Sequence, residues 1–412
     1  MINRIILCLL VVLGIHQLSA EVRADSKDNN SEKPQLKKIT VVESDNVYPD
    51  QRYATLSLPK TLSTPALKQL REFVNKEIST KNYSDPAIFF TLMEWVCLQW
   101  KHHAINQPPV GTSSYQILVN AKHGAEYRCQ EYAQVLNDIL ISYGYISRIV
   151  QLFQPGASYG APGSGHVGVE VWSNTLVKWI YLDPQWCMQI SYEGKVFSFY
   201  ELSEQLKNGN LAKLQFTTSE KVLQRDQQSA ETYINSYAEF IQKYIGQVAA
   251  VLNINSHLDF VCLLLGTHQQ ELTFQGVPVN GRIFTDNYKN LYFQINRTTI
   301  IFDYSYEVNW PDIFQKYKIQ SPDEYVEKMP FFAAKPTYSL RFQNNMWWFK
   351  YYEVKTDPEG SWKKVNGDKY DWSLTEGINT IQVRSVNQEG IPGSVTTVKI
   401  LYGDAPSPST TR

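Results

Sequence analysis

A chain of 412 residues, 43% hydrophobic and 13% aromatic, can bury a large core and is too long for one ordinary domain. Its formal net charge of -1 lacks the general basic excess that nucleic acid or an anionic membrane surface selects, so no nucleic-acid partner is expected.

The N-terminus reads as a secretory signal over residues 1–20. Arg4 supplies the positive start, Ile5 to Ile15 is an apolar run too short to span a bilayer, and Leu18-Ser19-Ala20 offers small residues for cleavage. Export places the protein outside the cell, in a periplasm or on a cell surface, where disulfides are permitted. Cys8 leaves with the signal. Of Cys97, Cys129, Cys187 and Cys262, three remain if Cys129 is a free nucleophile, and three cannot all pair, so this is no disulfide scaffold. Residues 21–50 are polar and charged and are expected to be a flexible lead-in.

Residues 51–250 predict a helical and then a β-rich unit. Ser63-Thr64-Pro65 starts a helix to about Ile78. Asp85-Pro86 starts a second helix that is apolar on most sides, hence buried. A third begins near Cys129 and stops at Tyr143-Gly144. The period then changes to two. Ser147 to Phe153 reads as a strand, 154–165 as a Gly/Pro/Ser loop, and 166–172 and 178–183 as paired strands. Residues 198–208 and 219–247 read as helices. Helices followed by an antiparallel sheet argue α+β. Residues 251–334 form an extension or small mixed domain, with short strands expected at Asn290 to Gln294 and Thr299 to Asp303. Alternating strands over 335–403 predict a small immunoglobulin-like β-sandwich, and 404–412 a disordered tail.

Three residues carry the chemistry: Cys129 at a helix start, His166 at a strand start and Asp183 at a strand end. A thiol reacts as thiolate. A helix N-terminus favours negative charge, an imidazole completes an ion pair, and a carboxylate behind the imidazole fixes its tautomer. Taking 166–183 as a hairpin centred between Asn174 and Thr175 sets His166 directly opposite Asp183.

The motifs Arg128-Cys129-Gln130-Glu131-Tyr132-Ala133, Gly144-Tyr-Ile-Ser-Arg148, His166-Val-Gly-Val-Glu170-Val-Trp172 and Trp179-Ile-Tyr-Leu-Asp183-Pro-Gln-Trp186 resemble the transglutaminase-like superfamily, a branch of the papain-like cysteine fold. The resemblance covers about 60 residues strictly and 55–245 loosely. It implies Cys129 as nucleophile, His166 as general base and acid and Asp183 as the orienting group. The expected reaction is acyl transfer or amide hydrolysis on a protein, peptide or cell-wall peptide, with no cofactor. Relatives often carry Trp or Asn after the His, where this chain has Gly168, which predicts a more open wall. No calcium loop of the animal-transglutaminase kind is present in the sequence, and no metal dependence is expected. The alternative is a non-catalytic binding or structural module on the same scaffold, with a protein or glycan ligand of the sandwich.

Other signals weigh less. Gly156-Ala-Ser158-Tyr-Gly160 matches a serine-nucleophile pattern but lacks the helix that should follow it. His102-His103 and His123 lack zinc-like spacing. Trp347-Trp348 and Tyr351-Tyr352 could form a sugar platform, though packing is the simpler reading. Trp95, Gln99 and Trp100 are candidate oxyanion donors beside the Cys129 backbone N–H, with core packing the simpler reading for the two tryptophans.

Overall fold

The computed structural model describes residues 37–159, 163–266, 271–275, 281–303, 310–332 and 336–404. The signal segment, the first part of the lead-in and the tail from residue 405 lie outside the described residues. Strand β1 is Lys37–Ser44, so the lead-in is ordered from residue 37, against expectation. The helical half follows as α1 (Pro65–Glu77), α2 (Ala87–Cys97), α3 (Ser114–Lys122) and α4 (Cys129–Ser142). Next come β2 (Ser147–Phe153), β3 (Gly165–Ser173), β4 (Lys178–Leu182), β5 (Gln189–Tyr192) and β6 (Lys195–Val196). They are followed by α5 (Phe199–Lys207), β7 (Gln215–Thr217), α6 (Glu220–Asp226), α7 (Ala230–Ile241), β8 (Gln247–Ile254), β9 (His257–Leu264) and β10 (Arg282–Thr285). The C-terminal part holds β11 (Thr298–Asp303), α8 (Trp310–Lys316), α9 (Pro322–Lys328) and β12 (Thr337–Asn344). It ends with β13 (Phe349–Lys355), β14 (Lys363–Val365), β15 (Lys369–Ser373), β16 (Gly377–Asn387) and β17 (Thr396–Asp404).

The result is a mixed α+β architecture. A six-stranded sheet runs in the order β10-β9-β8-β2-β3-β4, antiparallel except for the β10–β9 pair. It continues past residue 250, because β8 pairs with β2 and brings β9 and β10 with it. Helix α4 packs on β2 and β3 and buries Tyr132, Leu136, Ile139 and Leu140 completely. Each large apolar side chain so buried contributes about 1.5–3 kcal/mol, which fixes this helix as the centre of the core. Its other side meets α1, α2 and α3. The helix stops at Gly144, whose φ of +88° suits glycine. There the Asn387 side-chain amide donates to the Gly144 carbonyl at 2.8 Å and ties the helix end to the C-terminal strands.

Helix α3 has no counterpart among the sequence expectations. Its cap, Ser113, accepts from the Gln116 N–H at 3.3 Å, and Ile117 and Leu118 are buried. The single helix expected over 219–247 is two. The chain takes a left-handed turn at Gln227 (φ +53°), and Ser229 caps the second helix. The strand expected at Asn290 to Gln294 is a short 3-10 turn, Tyr288–Asn290, followed by irregular chain.

The C-terminal strands form two antiparallel sheets over one core. These are β1-β17-β16-β13-β14 and β11-β12-β15, joined by Ile300, Phe342, Tyr352, Trp372, Ile381 and Val398. Two strands come from outside residues 335–403: β1 pairs with β17, and β11 with β12. The Trp347 and Trp348 indoles donate to the carbonyls of Tyr53 and Pro59, so they clamp the two halves together rather than face solvent as a platform.

The sheet face of β3 carries a buried ion pair. Glu170, fully inaccessible, accepts from the Arg148 guanidinium at 2.6 and 3.0 Å, from the Phe199 N–H at 2.8 Å and from the Tyr292 hydroxyl at 3.0 Å. Removing one member of such a pair strands a buried charge. Arg148→Met is therefore expected to cost about 3–5 kcal/mol, measurable as a lowered denaturation midpoint at unchanged slope.

Candidate active site

Helix α4 begins at Cys129 because Arg128 is extended (φ −79°, ψ 176°) and the Glu131 carboxylate accepts the Arg128 N–H at 3.2 Å. The thiol is thereby set in the first turn, where unpaired backbone N–H groups favour an anion. The Arg128 guanidinium, paired with Glu131 at 2.8 Å, adds positive charge beside it.

His166 and Asp183 meet: His166 Nε2 lies 2.8 Å from Asp183 Oδ2. Cys129, at the head of α4, lies within electrostatic reach of the same ring and helps to hold its proton. The structure thus brings all three sequence-predicted residues together, but not by the expected register. In the observed hairpin Trp172 opposes Trp179 and Ser173 opposes Lys178. This is two residues from the register expected with a turn at Asn174-Thr175. The cause is Asp85, whose carboxylate accepts from the Ser173 hydroxyl and from the Asn174 and Thr175 N–H groups. That brace opens the turn to four residues, with Val177 at φ +55°. A slip of two preserves which face each side chain occupies. His166 and Asp183 therefore still share a face, as diagonal rather than direct partners.

Asp183 is fully buried, and each of its oxygens has a donor. Oδ2 accepts from His166, from the Tyr181 hydroxyl at 3.2 Å and from the Tyr237 hydroxyl at 3.1 Å, and Oδ1 accepts from the Trp186 N–H at 3.3 Å. Burial, then the charge of Asp183, pushes both tyrosines well above their ordinary pKa, so they remain donors. Burial alone would lower the His166 pKa. The charge and hydrogen bond of Asp183, with a contribution from Cys129, outweigh it and raise the value to about 10. The imidazole is thus charged at neutral pH.

Tyr181 and Tyr237 were not singled out from sequence as site residues. Tyr181 was legible as a face-mate of Asp183 two residues earlier. Tyr237 belongs to the series Tyr233, Tyr237, Phe240 and Tyr244, whose helical spacing was legible although its destination was not. These aromatics and Trp186 wall the site. Phe240 lies edge-on to His166 with ring centroids 4.9 Å apart, and Tyr244 lies tilted to it at 5.7 Å. The Tyr244 hydroxyl also donates to the Gly163 carbonyl at 2.9 Å, holding the loop before His166.

Gly168 does not open the wall. A Cβ there would meet the Tyr181 ring at 2.5 Å, so the glycine's missing side chain is the space that ring occupies. Gly168→Ala should displace Tyr181 from Asp183 and destabilise by about 1–3 kcal/mol, read as a lower melting temperature. Gly168→Ala with Tyr181→Phe should recover none of the lost hydrogen bond.

Of the suggested oxyanion donors, Gln99, just past the end of α2, donates its amide to the Trp95 carbonyl in the last turn of that helix at 2.8 Å. The Trp100 indole N–H is buried without a hydrogen-bond partner, and its ring packs on Tyr127, two residues before the thiol. His102 forms a bridge with Tyr127 and lies in the field of the site. Partial desolvation, then the charges of His166 and His103, lower its pKa. Among the described residues no group of three or more His, Cys, Asp and Glu is placed to hold a metal ion, and no helix is long and apolar enough to cross a membrane. Ser158 of the serine-like motif is buried in a 3-10 turn. No family model matches the chain, and no curated protein matches it in sequence.

Proposed function

We propose that this is an exported cysteine acyltransferase or amide hydrolase of transglutaminase-like fold with an immunoglobulin-like C-terminal sandwich, acting on a protein, peptide or cell-wall peptide. The observation that carries the reading is the grouping of Cys129, His166 and Asp183, with the thiol at a helix N-terminus and the imidazole hydrogen-bonded to the carboxylate at 2.8 Å. The Cys129 thiolate attacks the substrate carbonyl, and the backbone N–H groups at the head of α4 receive the developing oxyanion. The His166 imidazolium gives its proton to the leaving amine. The neutral ring then takes a proton from the incoming water or amine, and Asp183 keeps the ring oriented throughout.

The test is incubation with glutamine-containing and cell-wall peptides, with and without a primary amine, followed by mass spectrometry of protein and product. The expected result is an acyl adduct on Cys129 and a product that disappears in Cys129→Ala. Turnover that survives Cys129→Ala would overturn the reading.

One observation favours the second reading, a binding module. A cavity of about 510 Å³ lies on the same sheet face at the far end of the β3–β4 hairpin, lined by Trp172, Trp179, Tyr200, Tyr288 and Tyr292 with Lys178 and Glu201. Aromatic walls with a few polar groups suit a glycan.

A further inference from the structure

Cys97 ends helix α2, and Cys187 follows the turn that presents Asp183. Both are buried, at 0% and 3% exposure, and the Cys187 thiol, with burial behind it, pushes the Cys97 pKa up, which marks the two as neighbours. The Cys97 thiol also lies 3.5 Å from the Gln185 carbonyl in that turn. The turn is closed by an Asp183–Met188 bridge, and Cys187 sits at φ +50°, a conformation uncommon for residues other than glycine. Cys129 sits at the head of α4 within electrostatic reach of His166 instead, and Cys262 is buried on β9.

We propose that Cys97 and Cys187 are a disulfide-forming pair that pins the Asp183 turn to helix α2. The partner reaction is exchange with a disulfide donor such as glutathione disulfide or an oxidised dithiol oxidoreductase. The two cysteine thiols give up two protons and two electrons, one sulfur–sulfur bond forms between them, and the donor's bond is cleaved to two thiols. The segment so closed runs from residue 97 to residue 187 and contains Cys129, His166 and Asp183. The link therefore restrains in the unfolded chain the same stretch that must assemble the site. It also resolves the odd count of cysteines, since it removes the two thiols that could otherwise exchange with the nucleophile and leaves Cys262 inside the core.

The test maps disulfides in the full chain recovered from an oxidising export compartment and in the same protein incubated with glutathione disulfide. Free thiols are alkylated in denaturant before peptide mass spectrometry. The expected product is lighter by two hydrogens, links the peptides of Cys97 and Cys187, and leaves Cys129 and Cys262 alkylated. Reduction should lower the melting temperature, and the double variant Cys97→Ser, Cys187→Ser should fold without that redox-dependent shift. Alkylation of both Cys97 and Cys187 after both treatments, or a link from either to Cys129, would overturn the proposal. The assay reads pairing and not turnover, so its outcome is separate from that of the acyl-transfer reading.

Discussion

Replacing His166 with Gln slows alkylation of Cys129 by iodoacetamide at pH 7 by roughly 10–30-fold, because an ordinary thiol, with pKa about 8.5, is only about 3% ionised there, and the Arg128 charge that remains is already paired with Glu131. Glutamine keeps a hydrogen-bond donor for Asp183 and removes the charge, which separates electrostatic loss from unfolding. The effect on turnover is larger, since the same change also removes the proton donor for the leaving group. Rates measured by intact-protein mass spectrometry, with Cys129→Ala to identify the labelled site, check this. Equal alkylation of the two proteins would show that the imidazole does not assist the thiol.

The second large effect comes from Asp183→Asn. An amide in that place keeps the shape and can still accept from Tyr181 and Tyr237, but it supplies no charge and no fixed tautomer to His166. Turnover is expected to fall by about 10²–10⁴-fold. The variant also has a stability signature with a definite sign. The folded-state pKa of His166, about 10, exceeds the ordinary value of about 6.5, so the folded protein holds the proton more tightly than the unfolded chain. The stabilisation is fully present below about 6.5 and is lost as pH rises through about 10. Wild-type melting temperature should therefore decline across that window, and Asp183→Asn should remove most of the decline. A parallel slope in both proteins would mean that Asp183 does not hold the proton on His166.

The elements that carry the site were legible because each has a local signature. Strand β2 spans Ser147–Phe153 as read, and α4 starts at the thiol and stops at Gly144. The hairpin register was not legible, because Asp85 sets it, and Asp85 lies far away in the chain. The meeting of His166 with Asp183 survived that error because an even slip keeps sheet faces. Tyr237 was equally hidden: a helix pattern says which side chains share a side, but not which carboxylate that side will meet. The strands recruited from afar, β1 for the C-terminal sheet and β8 for the central one, follow the same rule. Pairing partners are chosen by tertiary packing, and only the alternation is written locally.

The charge state of the resting site is the central claim, and ¹⁵N NMR of histidine-labelled protein tests it most directly. His166 is assigned among the seven histidines by the loss of its signals in His166→Gln. The account predicts an imidazolium with both ring nitrogens protonated at pH 7.5, losing its proton only near pH 10. A neutral His166 ring at pH 7.5 would contradict the charged imidazolium on which the proposed chemistry rests.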